Sequence, residues 1–316
     1  MNPATEFTAP RVAYPRATTV LISGAGSGMG LHTAQTLLRA GYAVYAGIRD
    51  PQGRSQARAA HLHAYAAEHG TDVTVVDLDI LHEHSCRAAV AQVVADHGRL
   101  DVVVHNAAHL FIGFSEAFTP EQLASSLNTN VLGAHRLNRA ALPVLRDQGA
   151  GLLLYVGSGI SRICYPFMAP YVVGKTALDA LAEATAYEVG RFGIETTILM
   201  PGVFTSGTDH FKAAEFAKDA ATVAAYARLQ ADFDNGDASL QRLFRPDQEV
   251  PVQGVADEIA RVLALPAGQR PRRTTVDYSD YGAEAVNAVA EAQTARMFRI
   301  IGYDHLLTAS EPAPTL

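Results

Sequence analysis

Tyr171 and Lys175 lie four residues apart, and Ser158 lies thirteen residues before the tyrosine. Residues i and i+4 share a helix face, so the Lys175 ammonium is expected beside the Tyr171 phenol. A positive charge there would favour the tyrosinate and lower a phenol pKa of about 10. Such a phenol can exchange a proton with an alcohol oxygen, and Ser158 can hold that oxygen by a hydrogen bond. The implied chemistry is carbonyl/alcohol interconversion, which needs a hydride carrier. Tyr-x-x-x-Lys alone is a weak motif. The chain has only three lysines, Lys175, Lys212 and Lys218, so a chance pairing is uncommon.

The elements that must position these residues follow from alternating apolar runs and helical periods, an α/β pattern. Strands are expected at Thr19–Ile22, Ala43–Ile48, Val73–Leu78, Val102–Val104, Gly151–Val156 and Thr196–Met200, with a seventh at Thr274–Val276. Helices are expected at Met29–Arg39, Ser55–Glu68, Ser85–Asp96, a long Pro120–Leu145, Tyr171–Arg191, Val255–Ala264 and Ala283–Ile300. This is a Rossmann-type doubly wound parallel sheet of about seven strands with helices on both faces. No clear linker divides it. The expected organisation is a lead-in over 1–17, one domain over 18–309 with a substrate lid near 203–250, and a tail over 310–316.

After the first strand comes Ser23-Gly24-Ala25-Gly26-Ser27-Gly28-Met29-Gly30. Gly24, Gly28 and Gly30 fit G-x-x-x-G-x-G. Glycines between a strand and a helix let the backbone approach a pyrophosphate, whose charge the helix N-terminus favours. The second strand ends at Ile48-Arg49-Asp50. An arginine there accommodates a 2′-phosphate, so Arg49 favours NADP(H), with NAD(H) less favoured. Asp50, the competing candidate, precedes Pro51 and is expected to begin a turn.

Together these residues resemble the short-chain dehydrogenase/reductase family, in its compact single-domain branch. The resemblance runs from about Thr18 to Gly202 and less securely to about Tyr278. Ser23–Gly30 resembles the family's Thr-Gly-x-x-x-Gly-x-Gly loop. Leu78-Asp79-Ile80 resembles its adenine-contacting segment. His105-Asn106-Ala107-Ala108 stands where the family has Asn-Asn-Ala-Gly and departs at the first and last positions, so Ala108 could perturb the backbone near the cofactor. Asn130-Val131-Leu132-Gly133 resembles the segment carrying the catalytic asparagine. Pro201-Gly202 resembles the segment facing the nicotinamide, with Thr205, Ser206 or Thr208 supplying a following hydroxyl and Ser206 fitting best. The resemblance implies that Tyr171 donates the proton and that Lys175 lowers its pKa and binds the nicotinamide ribose. It also implies that Ser158 orients the substrate oxygen and that Asn130 anchors a relay water. The implied cofactor contacts are Gly24, Ser27, Gly28, Met29, Gly30, Arg49, Asp79, Ile80, Asn106, Ala107, Tyr171, Lys175, Pro201, Gly202 and Ser206. Pairing of the helices near Glu121–Leu145 and Tyr171–Arg191 implies a homodimer or homotetramer, unless the C-terminal extension blocks it.

Three stretches should frame a substrate pocket: Leu110–Phe118, Ile160–Pro170 and Val203–Phe216. They carry Phe111, Ile112, Phe114, Ile163, Tyr165, Phe167, Met168, Phe204, Phe211 and Phe216, which points to an apolar or aromatic ketone or aldehyde. Ordinary core and lid packing is the alternative reading of the same side chains. Asp209–Lys218 is expected to be a solvated charged helix, and Cys164 a small buried hydrophobe. A nucleotide sensor on the same fold would tend to lose Tyr171 or Lys175, and an extended-branch epimerase or dehydratase would carry G-x-x-G-x-x-G.

Composition bounds the rest. A formal charge of -7 argues against a nucleic-acid surface. Two cysteines make no disulfide framework, so a reducing, cytoplasmic setting is expected. No apolar run reaches the roughly 18 residues of a membrane span, and the first residues carry no apolar signal core. The scattered histidines, His82 and His84 among them, give no metal-ligand spacing.

Overall fold

The structure, a computed structural model, describes residues 18–205, 207–279 and 281–308. The lead-in over 1–17 and the tail over 310–316 lie outside them, as does Ser206. Among the described residues nine strands occur: β1 (Thr19–Ser23), β2 (Ala43–Ile48), β3 (Val73–Asp77), β4 (Val102–His105), β5 (Phe111–Ile112), β6 (Gly151–Val156), β7 (Ile194–Pro201), β8 (Glu215–Phe216) and β9 (Arg273–Val276). Seven form one parallel sheet in the order β3-β2-β1-β4-β6-β7-β9. The helices are α1 (Gly28–Arg39), α2 (Gln56–Glu68), α3 (Glu83–His97), α4 (Pro120–Leu127), α5 (Gly133–Gln148), α6 (Ala169–Val189), α7 (Ala220–Ala225), α8 (Gln230–Asp234), α9 (Gly236–Gln241), α10 (Gln253–Ala264) and α11 (Ala283–Ile301).

The pleat explains the layering. Val20 and Ile22 face one way and pack with Leu37, Leu62 and Ile259 of α1, α2 and α10. Leu21 faces the other way and joins Val93, Leu137 and Leu178 of α3, α5 and α6. Both faces are therefore covered, and the strands read as continuous apolar runs. The sheet reverses its order between β1 and β4, and ligands of such folds bind beyond the strand ends at that crevice.

Two segments depart from expectation. The predicted helix over Pro120–Leu145 is interrupted by a π turn at Asn128–Leu132, which reorients Asn130. Single π turns in helices are often functional. Arg136 holds the turn open, donating to the Asn128 side chain at 2.7 Å. The Asp209–Lys218 segment is not a helix. It is a turn leading into β8, which pairs with β5 in a separate two-stranded sheet. Among the described residues, no helix is long and apolar enough to cross a membrane.

His105 closes β4. Its ring stacks on Tyr155 at 4.4 Å, and neither ring nitrogen has a hydrogen-bond partner of ordinary geometry among the described residues. Burial pushes its pKa down to about 3, and nearby Asn138 only partly offsets this. The folded protein thus keeps His105 neutral while the unfolded chain protonates below about 6.5. Stability is lost as pH falls from there toward 3, by roughly 1.4 kcal/mol per unit. His105→Phe keeps the stack and removes the proton uptake. Urea midpoints at pH 7.5 and 5 should show an acid loss about 2 kcal/mol smaller in the variant; equal losses would contradict this account.

Candidate active site

The phosphate loop is built by close approach. Gly24 and Gly28 have φ of +70° and +52°, where other residues are strained. A Cβ on Gly30 would lie 2.3 Å from the Gly24 carbonyl oxygen, so α1 can start against the loop only with glycine there. Asn106 locks the turn. Its side chain donates to the Ser23 and Gly24 carbonyls at 3.0 and 3.2 Å, while its main-chain N–H donates to Ser23 Oγ at 3.0 Å. Ala108 has no positive φ, so alanine replaces the family glycine here without backbone strain.

A cavity of about 630 Å³ runs from this loop across the strand ends. Of the residues expected to touch a dinucleotide, Gly24, Ser27, Gly28, Met29, Arg49, Asp79, Ile80, Asn106, Ala107, Tyr171, Lys175, Pro201 and Gly202 line it. Gly30 instead packs beneath the loop. Asp50 has a φ of +51°, and its carboxylate accepts from Arg54 N–H at 3.0 Å, closing the expected turn. Arg49 and Arg58 line the cavity at this end, with Ser55. Sequence reading missed Arg58. Its place follows from α2 returning past β2, where Gly26 leaves room for it: a Cβ on Gly26 would lie 3.3 Å from Arg58 Cδ.

Ser158, Tyr171 and Lys175 converge on the cavity wall. Ser158 follows β6, and its Oγ accepts from Ile160 N–H at 3.3 Å. Tyr171 and Lys175 occupy the first two turns of α6. The electrostatics differ from expectation. Burial pushes the Tyr171 phenol above its ordinary value, and a hydrogen bond with Ser158 only partly opposes it. The helix does place Lys175 Nζ 5.8 Å from the Tyr171 ring centroid. That ammonium is itself buried, donates to the Val156 carbonyl at 2.8 Å, and has its pKa lowered to about 8. Burial, rather than the neighbouring ammonium, sets the direction of the Tyr171 shift.

Asn130 is buried just behind this wall. Its Nδ2 donates to the His109 carbonyl at 3.0 Å, and its Oδ1 accepts from His109 N–H at 2.8 Å. Both ends of the amide are thus spent on the His109 main chain. A Cβ on Gly174 would sit 3.1 Å from Asn130 Nδ2, so glycine lets α6 close on the π turn.

The substrate end is more polar than expected. Tyr165, Met168, Phe204 and Phe211 line it, with Leu110, Ile160, Leu240 and Tyr281. Phe114 and Phe167 pack instead with Tyr226 and Phe233 in an aromatic cluster of the lid. Phe111 is fully buried, Phe216 is exposed, and neither they nor Ile112 and Ile163 line the cavity. Cys164 is exposed rather than buried. His109, His210 and Glu215 line the cavity and were not anticipated. Thr208 also lines it and packs over Gly28, 3.5 Å from where a Cβ would stand.

The family model for short chain dehydrogenase matches residues 18–219. The chain belongs to the short-chain dehydrogenase family of oxidoreductases, which use nicotinamide cofactors. It is 32% identical to a 3-ketodihydrosphingosine reductase of Bacteroides thetaiotaomicron, over 60% of this chain and 64% of that protein. It is 35% identical to the 17-beta-hydroxysteroid dehydrogenase type 1 of Homo sapiens, over 58% of this chain and 56% of that protein. The chain thus matches less than two thirds of the length of either relative. A short-chain dehydrogenase structure from Streptomyces avermitilis shares the fold at a TM-score of 0.70 and 24% identity, over 92% of this chain and 98% of that one.

Proposed function

We propose that this protein is an NADP(H)-dependent carbonyl reductase or alcohol dehydrogenase. The convergence of Ser158, Tyr171 and Lys175 on one cavity wall beside the phosphate loop carries this reading. Ser158 and Tyr171 hold the substrate oxygen, and Tyr171 passes its proton to that oxygen in the reductive direction. A phenol kept protonated by burial is in the form that a proton donor requires. Lys175 orients the site from the Val156 carbonyl, and Asn130 fixes the wall by clamping His109. The nicotinamide, when bound, supplies or accepts the hydride. Gly24 to Met29 would hold the pyrophosphate, Asp79 and Ile80 the adenine end, and Pro201 and Gly202 the nicotinamide end. The relatives named for a ketone reductase and a hydroxysteroid dehydrogenase both concern a keto/hydroxy pair, which supports this choice. Two unpaired thiols fit a reducing, cytoplasmic setting.

NADP(H) is chosen because Arg49 and Arg58 line the cavity where β2 ends, while the Asp50 carboxylate is turned into its own turn. Guanidinium forks suit a phosphate monoester. The unaltered protein should prefer NADPH to NADH in kcat/KM by a factor of ten or more, on the order of one charge-assisted contact. Arg58→Ala should narrow that gap roughly tenfold, chiefly through the KM for NADPH. Equal use of the two cofactors by the unaltered protein would overturn the NADP(H) assignment.

A further inference from the structure

The polar end of the substrate cavity has no part in the hydride and proton transfers above. His109 is pinned at both main-chain atoms by Asn130, and its ring meets Phe111 edge-on at 5.0 Å. Its Nε2 stands 3.9 Å from Glu215 Oε2. Glu215 is equally fixed. It sits on β8 in register with Phe111, and its Oε1 accepts from Gln122 Nε2 at 2.9 Å and Lys218 Nζ at 2.8 Å. Gln122 is itself buried and also donates to the Phe216 carbonyl at 2.8 Å. His210 lines the same cavity. Its ring meets Tyr171 at 5.3 Å, and its Nε2 is buried without a hydrogen-bond partner among the described residues.

A separation of 3.9 Å is too long for a direct hydrogen bond and is one that a single bridging oxygen spans. That oxygen would accept from His109 and donate to the free oxygen of Glu215. A hydroxyl can do both, whereas a carbonyl can only accept. An ammonium is less suited, because Lys218 already balances the carboxylate. We propose that His109 and Glu215, with His210 beside them, form a specificity pole that binds a hydroxyl group of a hydroxylated ketone or aldehyde. The pole rests on the reductase reading above and narrows its substrate class from apolar carbonyls to hydroxycarbonyls. A site built to hydrogen-bond a hydroxyl discriminates strongly against the analogue lacking it.

The test uses phenyl ketones bearing a hydroxyl one, two or three carbons from the carbonyl, each beside its twin without the hydroxyl. NADPH oxidation is followed with the unaltered protein and with Glu215→Gln and His109→Phe. At least one hydroxyketone should exceed its twin in kcat/KM by roughly tenfold or more. In both variants that ratio should fall to within about threefold of one, mainly through KM. Equal turnover within every pair, or a preference that survives both variants, would overturn the pole while leaving the reductase reading intact. Absence of turnover with every ketone would overturn the reductase reading and the pole with it.

Discussion

Tyr171→Phe should lower kcat for carbonyl reduction by about 10²–10⁴-fold, the range that general acid catalysis contributes. The substitution removes one oxygen and keeps the ring. The edge contact with His210 and the surrounding packing of α6 are therefore retained. What is lost is the phenol that pairs with Ser158 and carries the proton, whose pKa burial raises. Lys175 is no substitute donor, since its ammonium is engaged by the Val156 carbonyl at the end of β6. Cofactor affinity should stay within a few-fold, because Tyr171 is one of many residues lining that part of the cavity. Steady-state rates beside cofactor titrations check this. A variant within tenfold of the unaltered kcat would remove Tyr171 from the chemistry.

The second large effect concerns the frame behind the site. Asp179 on α6 is buried and accepts from Arg162 at 2.7 Å and from both Arg273 nitrogens at 2.6 and 2.9 Å. Arg273, on edge strand β9, also bonds Glu183 at 2.6 Å. Arg162 donates in turn to Asn287 of α11 at 2.7 Å. One carboxylate thus ties together α6, β9, α11 and the loop that follows Ser158. Asp179→Ala would leave Arg162 without a carboxylate partner and Arg273 with Glu183 alone, and breaking such a buried pair costs about 3–5 kcal/mol. The thermal midpoint should fall by on the order of 10 °C. A midpoint unchanged to within about 2 °C in Asp179→Ala would show that the network does not hold the frame.

Much of this was legible from the chain itself. β2 and β6 have the bounds that their apolar runs suggest, because strands covered on both faces leave an uninterrupted signal. Glycine spacing located the loop because steric contact at Gly30 permits no alternative. The break at Asn128–Leu132 was not legible. A π turn barely disturbs helical periodicity, and the His109 main chain that Asn130 meets there is distant in sequence. The Asp209–Lys218 segment reads as a charged helix only until β8 is known to pair with β5. Phe114 and Phe167 went to the lid cluster rather than the pocket, since aromatic content does not reveal which side chains meet. The direction of the Tyr171 shift was missed for a related reason. Sequence shows the lysine four residues on but not the depth at which both are buried.

The claim that this site moves a hydride to a carbonyl carbon while Tyr171 protonates the oxygen is tested most directly by isotope transfer. NADPH deuterated at both C4 positions would be incubated with a reducible ketone and the unaltered protein, with Tyr171→Phe in parallel, and the alcohol analysed by mass spectrometry. The account predicts one deuterium on the carbinol carbon per NADPH consumed, and product formation suppressed about 10²–10⁴-fold in the variant. Alcohol without deuterium, or undiminished labelled product from the variant, would contradict it.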